Sequence, residues 1–355
     1  MGLDVTGRFR YPPPNAAWLA RHEEPLLDPD LPIIDSHHHL WVQDGHPYLL
    51  DQLADDLATV PGVKATVFVQ AHYGYRDNGP AHLAPIGETE KVAAIARAAR
   101  AQRLPHVASA IVAFADLALG DAVETVIEAH AQAAEGALRG IRHSVSRDLA
   151  FPDGVVIRPA PAGLLGDPTY RAGLRTVQRL GLGYDAMLYH GQIGELAAMA
   201  DALPSLPIVL DHIGCILGVG PYAGRAGELF ARWRLDMADL AKRDNVSVKI
   251  GGFGMIVCGA HWHEAECPPS SATLAQAWRP YVETCIELFG ANRCMFESNF
   301  PVDKAMYSYR TLWNAFARLT ASASGAERQA LFSGTAARFY RIPEAVVSPG
   351  RLVHG

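Results

Sequence analysis

The amino-acid sequence predicts a single-domain (β/α)8 barrel, the TIM-barrel class of α/β folds, from three observations. Eight short apolar runs occur along the chain, stretches with apolar residues at helical spacing follow most of them, and polar residues suited to chemistry end the runs. Near-continuously apolar strands separated by helices are typical of parallel strands covered on both faces. A chain of 355 residues with 49% hydrophobic content is long enough to fill one such barrel.

The predicted strands are the short apolar runs, and a proline-rich arm from Tyr11 to Pro14 precedes them. Its consecutive prolines exclude regular helix and central strand. We therefore expect an N-terminal arm over residues 1–30, the barrel over residues 31–342 and a C-terminal tail over residues 343–355. The runs are residues 32–39, 65–71, 108–114, 137–143, 183–189, 207–211, 246–251 and 294–298.

The predicted helices lie between or after these runs, and their apolar residues recur at intervals of three and four. An open doubly wound sheet is the alternative arrangement of such units. No Gly-x-Gly-x-x-Gly fingerprint follows an early strand, which favours the barrel. The helical stretches are residues 88–103, 121–134, 170–180, 193–203, 228–243, 271–288 and 304–319.

Charge and cysteine content exclude several classes of protein. The net charge of -6 supplies no basic stripe of the kind that nucleic acid requires, so we expect no nucleic-acid partner. No apolar run approaches the length of a membrane span, so we expect no membrane partner either. The five cysteines include no Cys-x-x-Cys pair, which indicates reduced thiols and predicts a cytoplasmic protein.

Three consecutive histidines end the first apolar run, within the sequence Asp-Ser-His-His-His-Leu-Trp of residues 35–41. On a strand, His37 and His39 project from one face about 7 Å apart, while His38 points the other way. Two imidazoles on one face can share a metal ion or a substrate oxygen. The alternative is a polar strand end whose histidines are simply solvated.

The other strand ends also carry polar residues, and in a barrel these ends meet at one mouth where the active site forms. Few of these residues belong on a purely structural face. They are Gln70 and His72, Arg142 and His143, Tyr189 and His190, Asp211 and His212, Lys249, and Glu297 and Asn299.

Six motifs occur in a familiar order and fall on successive strand ends. They resemble those of the amidohydrolase superfamily, in particular its amidohydrolase-2 branch of sugar-acid and pyrone-dicarboxylate lactonases, from about residue 32 to residue 342. The motifs are residues 35–41, Gly-Ile-Arg-His at 140–143, Tyr-His-Gly-Gln at 189–192, Val-Leu-Asp-His-Ile-Gly at 209–214, Val-Lys-Ile-Gly at 248–251 and Arg-Cys-Met-Phe-Glu-Ser-Asn-Phe-Pro-Val at 293–302.

The resemblance implies a TIM-barrel hydrolase in which a first-strand His-x-His pair, a fifth-strand His and an eighth-strand Asp surround a water and the scissile carbonyl. His37 and His39 match the pair, His190 matches the fifth-strand residue, and His212 ends the sixth strand. Some members use one divalent metal and some lactonases use none. No lysine suits the carbamate bridge of binuclear members, so we expect at most one metal, zinc or manganese.

The chain departs from this pattern at the eighth strand. Lactonases of this group read Gly-Ser-Asp-Trp-Pro where this chain reads Glu-Ser-Asn-Phe-Pro, so the usual aspartate is Asn299. An amide accepts no proton from water near neutral pH. We hypothesise that Glu297, on the same side of the strand, replaces the aspartate as general base or as a metal ligand. The alternative is that Glu297 only neutralises Lys249 or Arg142.

Several residues are candidates for binding substrate. Arg142 suits a substrate carboxylate, although an ion pair with Glu297 or Asp211 is the alternative. A second arginine and nearby aromatic residues suggest a small substrate that is anionic and cyclic. The other candidates for substrate contact are Gln70, His72, Arg147, Tyr189 and Trp41.

Two loops are longer than usual strand-to-helix links. Residues 144–167 are long enough to form a lid. Residues 258–269 contain His261, His263 and Cys267, which could form a second metal site but are more often solvated. Trp262 in the same loop would suit the contact of a homodimer.

Three functions are compatible with these residues. The leading one is a hydrolase, a lactonase, in which water attacks the carbonyl of a small cyclic or acyl substrate at the His-rich mouth. A metal-dependent decarboxylase or hydratase is the alternative, and the loss of the aspartate strengthens it. The third is a catalytically inactive binding barrel, against which the retained histidines and Arg142 weigh.

Overall fold

A computed structural model describes residues 11–155 and 159–347, and a parallel eight-stranded sheet forms its centre. The eight strands of the sheet lie side by side in their order along the chain, and every neighbouring pair is parallel. Each of its strands lies within or overlaps one of the eight predicted runs. The strands are β1 Ile33–His38, β2 Trp41–Gln43, β3 His46–Tyr48, β4 Val63–Val69, β5 His106–Ala113, β6 Leu138–Ile141, β7 Gly183–Ala186, β8 Ile208–Leu210, β9 Val246–Ile250 and β10 Cys294–Phe296.

The sheet closes into a barrel just beyond the end of β10. The backbone N–H of Asn299 donates to the carbonyl of His37 at 2.9 Å, and that of His39 donates to the carbonyl of Phe300 at 2.7 Å. His38 and Phe300 form a parallel bridge between these bonds. The segment that closes the barrel is therefore the one that carries Glu297 and Asn299, and the predicted (β/α)8 fold is confirmed.

Helices surround the sheet, and the seven predicted ones are present. The last begins at Tyr309 rather than at residue 304, because the Ser308 side chain accepts the N–H of Thr311 and caps the helix there. The helices are α1 Ala16–Leu19, α2 Leu50–Ala58, α3 Ile86–Ala101, α4 Glu124–Ala133, α5 Pro168–Arg179, α6 Ile193–Ala202, α7 Ala226–Leu240, α8 Ser271–Phe289, α9 Tyr309–Leu319, α10 Gly325–Gln329, α11 Thr335–Phe339 and α12 Glu344–Val347.

A small hairpin and helix α2 between β1 and β4 were not among the predicted elements. Strands β2 and β3 pair antiparallel around Asp44 and Gly45, which have φ angles of 50° and 78°. An Asp-Gly pair is the preferred sequence for a two-residue turn of this kind. The hairpin holds Trp41 over the end of β1.

The interior of the barrel is packed with small apolar side chains, and the C-terminal segment contributes to it. Tyr340 packs with Ile34, Val67 and Met295, and its hydroxyl donates to Asp185 at 2.7 Å. A larger apolar cluster fills the space between the strands and the helices. Within residues 11–155 and 159–347, no helix is long and apolar enough to cross a membrane.

Candidate active site

The residues with the most direct contacts at the barrel mouth are His37, His212 and Glu297, all buried. They come from the end of β1 and from the segments directly after β8 and β10. Nδ1 of His37 lies 3.0 Å from Oε2 of Glu297, and Nδ1 of His212 lies 2.7 Å from Oε1 of Glu297. Within the described residues, these three form the group whose potential ligand atoms all lie within 4.8 Å of one another.

His39 lies beside this group. Its Nδ1 donates to the carbonyl of Val69 at 2.7 Å, because a carbonyl can only accept. The remaining nitrogen, Nε2, therefore carries a lone pair, and it faces Nε2 of His37 at 3.2 Å. A proton or a cation has to lie between these two nitrogens. Trp41 stacks on the His39 ring at a centroid distance of 5.5 Å and fixes its plane.

Glu297 stays charged although it is completely buried. Burial raises the pKa of this carboxyl, but the imidazoles of His212 and His37 outweigh burial and bring the pKa to about 2. Burial lowers the pKa of His212 as well, and the Glu297 carboxylate more than offsets it, so the pKa of His212 lies above its usual value. Burial and the positive charge of Lys249 lower the pKa of His37 to about 4.

The space for Glu297 depends on glycine in the neighbouring strand end. A Cβ at Gly251 would lie 2.3 Å from Cγ of Glu297, and a Cβ at Gly252 would lie 2.8 Å from the His212 ring. Real Cβ atoms essentially never make contacts this short. The two glycines directly after β9, Gly251 and Gly252, therefore make room for the carboxylate and the imidazole together.

The buried lysine and arginine contact aspartates rather than Glu297. Lys249 Nζ lies 2.6 Å from Asp185 and 3.0 Å from Asp211, and Arg142 Nη1 lies 3.4 Å from Asp211. Burial lowers the pKa of Lys249, but Asp185 and Asp211 outweigh burial and raise it. The ion pair between Arg142 and Asp211 that the sequence left open is thus present. Glu297 bonds the two histidines directly, and its charge also contributes to the raised pKa of Lys249.

Arg142 also reaches the barrel mouth. It is 7% exposed, its Nη2 donates to the carbonyl of Gln70, and its Nη1 lies 3.3 Å from Nε2 of His37. The Gln70 side-chain oxygen is buried without a hydrogen-bond partner. Arg142 is thus a charged group next to His37, and Gln70 follows β4, the strand that pairs with β1.

The amide of Asn299 is occupied by a carboxylate that the sequence reasoning did not single out. Nδ2 of Asn299 donates to Asp303 at 2.8 Å, and Asp303 also accepts from the hydroxyl of Tyr307 and the N–H of Gly254. Burial raises the pKa of Asp303 to about 6. An acid four residues after Asn299, directly after the strand-end motif, was the available signal.

Two of the remaining candidates, His190 and Tyr189, make contacts with other residues than His37. The ring of His190 stands edge-on to Tyr222 at 5.3 Å, and its Nδ1 accepts the N–H of Leu217. Tyr189 is buried beside it. No contact between His190 and the group of His37, His212 and Glu297 is present among the residues described.

The other candidates make local contacts. His72 is bonded to the hydroxyl of Tyr75 at 2.8 Å, and Arg147 donates to the carbonyl of Ala160 within its own loop. That loop, residues 144–167, includes residues 156–158, which lie outside the described part of the chain. His143 accepts the N–H of Leu117 and packs among aromatic rings, as a structural residue does.

The loop over residues 258–269 does not gather metal ligands. Nδ1 of His263 lies 3.2 Å from the sulfur of Met306, and no group of three ligands forms there among the residues that the structure describes. Trp262 is half-buried and packs on the core, rather than being exposed as the dimer suggestion assumed. The N-terminal arm covers this loop, because Trp18 Nε1 donates to the carbonyl of Ala265.

Comparison with known proteins gives a consistent family. The sequence matches the family model described as Amidohydrolase over residues 34–342. The chain is 33% identical to the uncharacterized protein y4mH of Sinorhizobium fredii over 335 residues, which cover 88% of this chain and 99% of that protein. It is 28% identical to an L-fucono-1,5-lactonase of Burkholderia multivorans over 327 residues, covering 88% and 96% of the two chains.

Solved structures agree with this comparison. An amidohydrolase from Burkholderia multivorans with bound zinc superposes with a TM-score of 0.67 at 25% identity, covering 88% of this chain and 100% of that one. A 5-carboxyvanillate decarboxylase from Novosphingobium aromaticivorans, complexed with manganese, superposes with a TM-score of 0.53 at 12% identity, covering 88% and 97%. At that identity the second likeness shows the fold alone.

Proposed function

This chain belongs to the amidohydrolase family, and from that premise we propose that it is a hydrolase that opens a small lactone by attack of water. The observation that carries the proposal is the contact of Glu297 with His212, at 2.7 Å, beside a cavity that His212 lines. Relatives named L-fucono-1,5-lactonase support a cyclic ester as the substrate class.

The residues at the mouth fit one divalent metal ion. Imidazoles are ligands that catalytic zinc uses, and a carboxylate bonded to the other nitrogen of a ligand imidazole, as Glu297 is to Nδ1 of His37, orients that ligand. His37 and His39 would hold the ion through the Nε2 atoms that face each other at 3.2 Å, since Nδ1 of His39 donates to Val69 and Nδ1 of His37 faces Glu297. Zinc or manganese would suit these ligands and would supply a Lewis acid for the charge that develops on the carbonyl oxygen.

His212 is the residue that we propose accepts the proton of the attacking water. Its Nδ1 donates to Glu297, so Nε2 is the nitrogen left to take a proton. A buried carboxylate bonded to Nδ1 fixes the tautomer of the imidazole and stabilises the imidazolium that forms. In this proposal Glu297 replaces the missing aspartate by holding His212, while Asn299, tied to Asp303, takes no proton.

A carboxylate on the substrate would be held by Arg142, whose guanidinium reaches the mouth next to His37. Nη1 and Nη2 of Arg142 each carry a second N–H besides the one directed at Asp211 or at the Gln70 carbonyl, so the guanidinium can still donate to a bound anion. Gln70 supplies a buried oxygen beside it for a substrate hydroxyl.

A decarboxylase is the second candidate function, and the replacement of aspartate by Asn299 is the observation that favours it. Decarboxylation requires no water to be deprotonated. Product analysis separates the two candidates, because a hydrolase releases a hydroxy acid while a decarboxylase releases carbon dioxide.

The test compares Glu297→Gln with the unaltered enzyme on a panel of δ- and γ-lactones, with metal content measured by elemental analysis. We expect kcat/KM to fall by at least about 100-fold, since a positioned acid–base pair contributes about 10²–10⁴-fold. Glu128→Gln, an exposed carboxylate on α4, is the matched control and should keep full activity. Full turnover by Glu297→Gln would disprove the role given to Glu297.

Asn299→Asp completes the series. The new carboxylate would stand next to Asp303, so we expect the pKa of the pair to rise without a gain in rate. A rate increase of tenfold or more in this variant would show that the ordinary aspartate mechanism operates here and that His212 is not the base.

A further inference from the structure

A cavity of about 280 Å³ opens beside His212, between the segment after β8 and the segment after β9. Its wall is mostly apolar or aromatic, and within the described residues it contains no Asp, Glu, Lys or Arg side chain. The residues on which the argument rests are Ile216, Leu229, Phe253, Trp278 and Tyr281.

We propose that this cavity binds an apolar part of the substrate, so that the lactone carries an alkyl or aryl group rather than a set of hydroxyls. The inference rests on the proposed lactonase function and narrows its substrate class. Burial of a hydroxyl without a hydrogen-bond partner is costly, whereas burial of an alkyl or aryl group is favourable. The composition of the wall therefore discriminates against a polyhydroxylated sugar lactone.

Only a minority of the side chains in the wall carry polar groups, and one of these groups is already engaged. The Tyr222 hydroxyl already donates to Asp148 at 2.8 Å. The Phe253 ring stacks on Trp278 at a centroid distance of 4.8 Å with an angle of 17°, which presents flat aromatic surface in place of donors. Tyr281, Cys258, the indole N–H of Trp278 and His212 supply the other polar side-chain groups, which could satisfy only part of a sugar's hydroxyls.

The cavity is continuous with the proposed chemistry. His212, Gly251 and Gly252 belong to its wall, and Gly251 also contacts Glu297, since a Cβ there would meet Cγ of Glu297. A group seated against Phe253 and Trp278 would thus hold the attached ring ester next to Nε2 of His212. Seating the substituent in this way would orient the scissile carbonyl.

The experiment compares three lactones that differ in the substituent: δ-valerolactone, δ-decalactone and L-fucono-1,5-lactone. We expect kcat/KM for δ-decalactone to exceed that for δ-valerolactone by at least tenfold, because each methylene in an apolar pocket contributes a factor of roughly ten or more. L-Fucono-1,5-lactone should be the poorest of the three. Equal values, or preference for the sugar lactone, would overturn the inference while leaving the lactonase function intact.

A variant tests whether the preference for δ-decalactone over δ-valerolactone depends on this cavity. Ile216→Asn puts an amide in the wall, and we expect the δ-decalactone to δ-valerolactone ratio of kcat/KM to fall by about tenfold while δ-valerolactone is still hydrolysed. Leu235→Asn, at a residue 68% exposed on the same side of the fold but outside the cavity, is the control and should leave the ratio unchanged. An unchanged ratio in Ile216→Asn would overturn the assignment.

Binding distinguishes failure of this inference from failure of the proposed function. If no lactone is hydrolysed, the lactonase function fails. Titration calorimetry with δ-decalactone on the unaltered protein and on Ile216→Asn then decides the inference alone. Tighter binding to the unaltered protein supports the apolar cavity, and equal or absent binding contradicts it.

Discussion

Gly251 lies directly against Glu297. The Glu297 side chain fits there because Gly251 has no side chain. Cγ of Glu297 passes 2.3 Å from where a Cβ of residue 251 would stand, and the Glu297 carbonyl lies 2.7 Å from that point. The Glu297 side chain cannot move aside, because its carboxylate is held by His37 and His212. The position of the carboxylate therefore depends on a residue without chemistry of its own.

Gly251→Ala tests this dependence. We expect a loss of about 1–3 kcal/mol in stability from overpacking and at least a tenfold loss in kcat/KM as Glu297 moves away from His212. Gly194→Ala, on helix α6 with open space around its Cα, is the matched control and should leave activity unchanged. Unaltered activity in Gly251→Ala would contradict the packing described here.

Glu88 makes stability depend on pH. It is buried near the start of α3, and its Oε1 accepts the N–H groups of Ala71 and Tyr73 after β4. Burial raises its pKa from 4.5 to about 7. Since the folded state holds this proton more tightly than the unfolded state, the stability that it contributes is full below about pH 4.5 and is lost as the pH rises through 7.

Glu88→Gln keeps the acceptor and removes the titration. The free energy of unfolding of the variant minus that of the unaltered protein should increase by on the order of 2 kcal/mol from pH 5 to pH 8. Urea unfolding at the two pH values measures this change. Glu90→Gln, an exposed partner of Arg76 on the same helix, should show no such gain. If the free energy of unfolding changed with pH in the same way in Glu88→Gln and in the unaltered protein, Glu88 would not be a source of the pH dependence.

Strand-end position and side-chain alternation predicted from the sequence that His37, His39, His212, Arg142 and Glu297 lie at one mouth. The sequence could not decide which partner each residue contacts, although Asp211 was one of two candidates for Arg142. Asp185 lies inside an apolar run, and its pairing with Lys249 depends on the register of β7 against β8 and of β8 against β9. The strand register, and how deep in the barrel a side chain lies, are properties of the closed sheet. For the same reason the contacts of Glu297 could not be read from the sequence.

At the scale of elements, the N-terminal arm is anchored to the first turn of α8. The carboxylate of Glu24 accepts the N–H and the hydroxyl of Ser271, at 3.0 and 2.6 Å. A negative charge at a helix N-terminus is favourable, because it meets the unpaired N–H groups and the positive end of the dipole. The arm and helix α8, which carries Trp278 and Tyr281 of the cavity, are thereby joined.

Glu24→Ala should lower the free energy of unfolding by about 1–2 kcal/mol, since both bonds to Ser271 are lost. Its neighbour Glu23 has an exposed side chain, so Glu23→Ala should change stability by less than about 0.5 kcal/mol. Chemical denaturation of the two variants provides the measurement. Equal stabilities would mean that the arm contributes nothing through this contact.

The elements that were predicted are those with a long or clear pattern. Helices α3 to α9 carry recurring apolar residues, whereas α10 and α11 have five residues each, too few to show a period. The β2–β3 hairpin was missed although Asp44 and Gly45 signal it, because its strands have only three residues each. Short elements are specified by what they pack against, which a single sequence does not display.

At the scale of the whole molecule, Tyr340 connects the C-terminal segment to the charged interior of the barrel. Its hydroxyl bonds Asp185, which in turn pairs with Lys249, and the Lys249 ammonium lies 5.5 Å from the Tyr340 ring centroid. A buried ion pair needs such additional bonds, because its own attraction rarely offsets the loss of water.

Tyr340→Phe should therefore destabilise the fold by about 2 kcal/mol, the effect of removing a hydrogen bond to a buried charged group. Tyr75→Phe removes a hydroxyl bonded to His72 near the surface, and it should cost less than about 0.5 kcal/mol. Thermal and urea unfolding of both variants measure the difference. A Tyr340→Phe protein as stable as the unaltered one would show that Lys249 alone satisfies Asp185.

The seam of the barrel has a consequence for synthesis. The backbone of residues 299 and 300 bonds that of residues 37 and 39. The first strand of the barrel is therefore synthesised long before the segment after β10 with which it pairs. A ribosome must release nearly the whole barrel before His37 meets Glu297. A nascent chain cut off before this point holds neither a closed sheet nor a site, and we expect such fragments to be cleared by proteases without ever having acted on substrate.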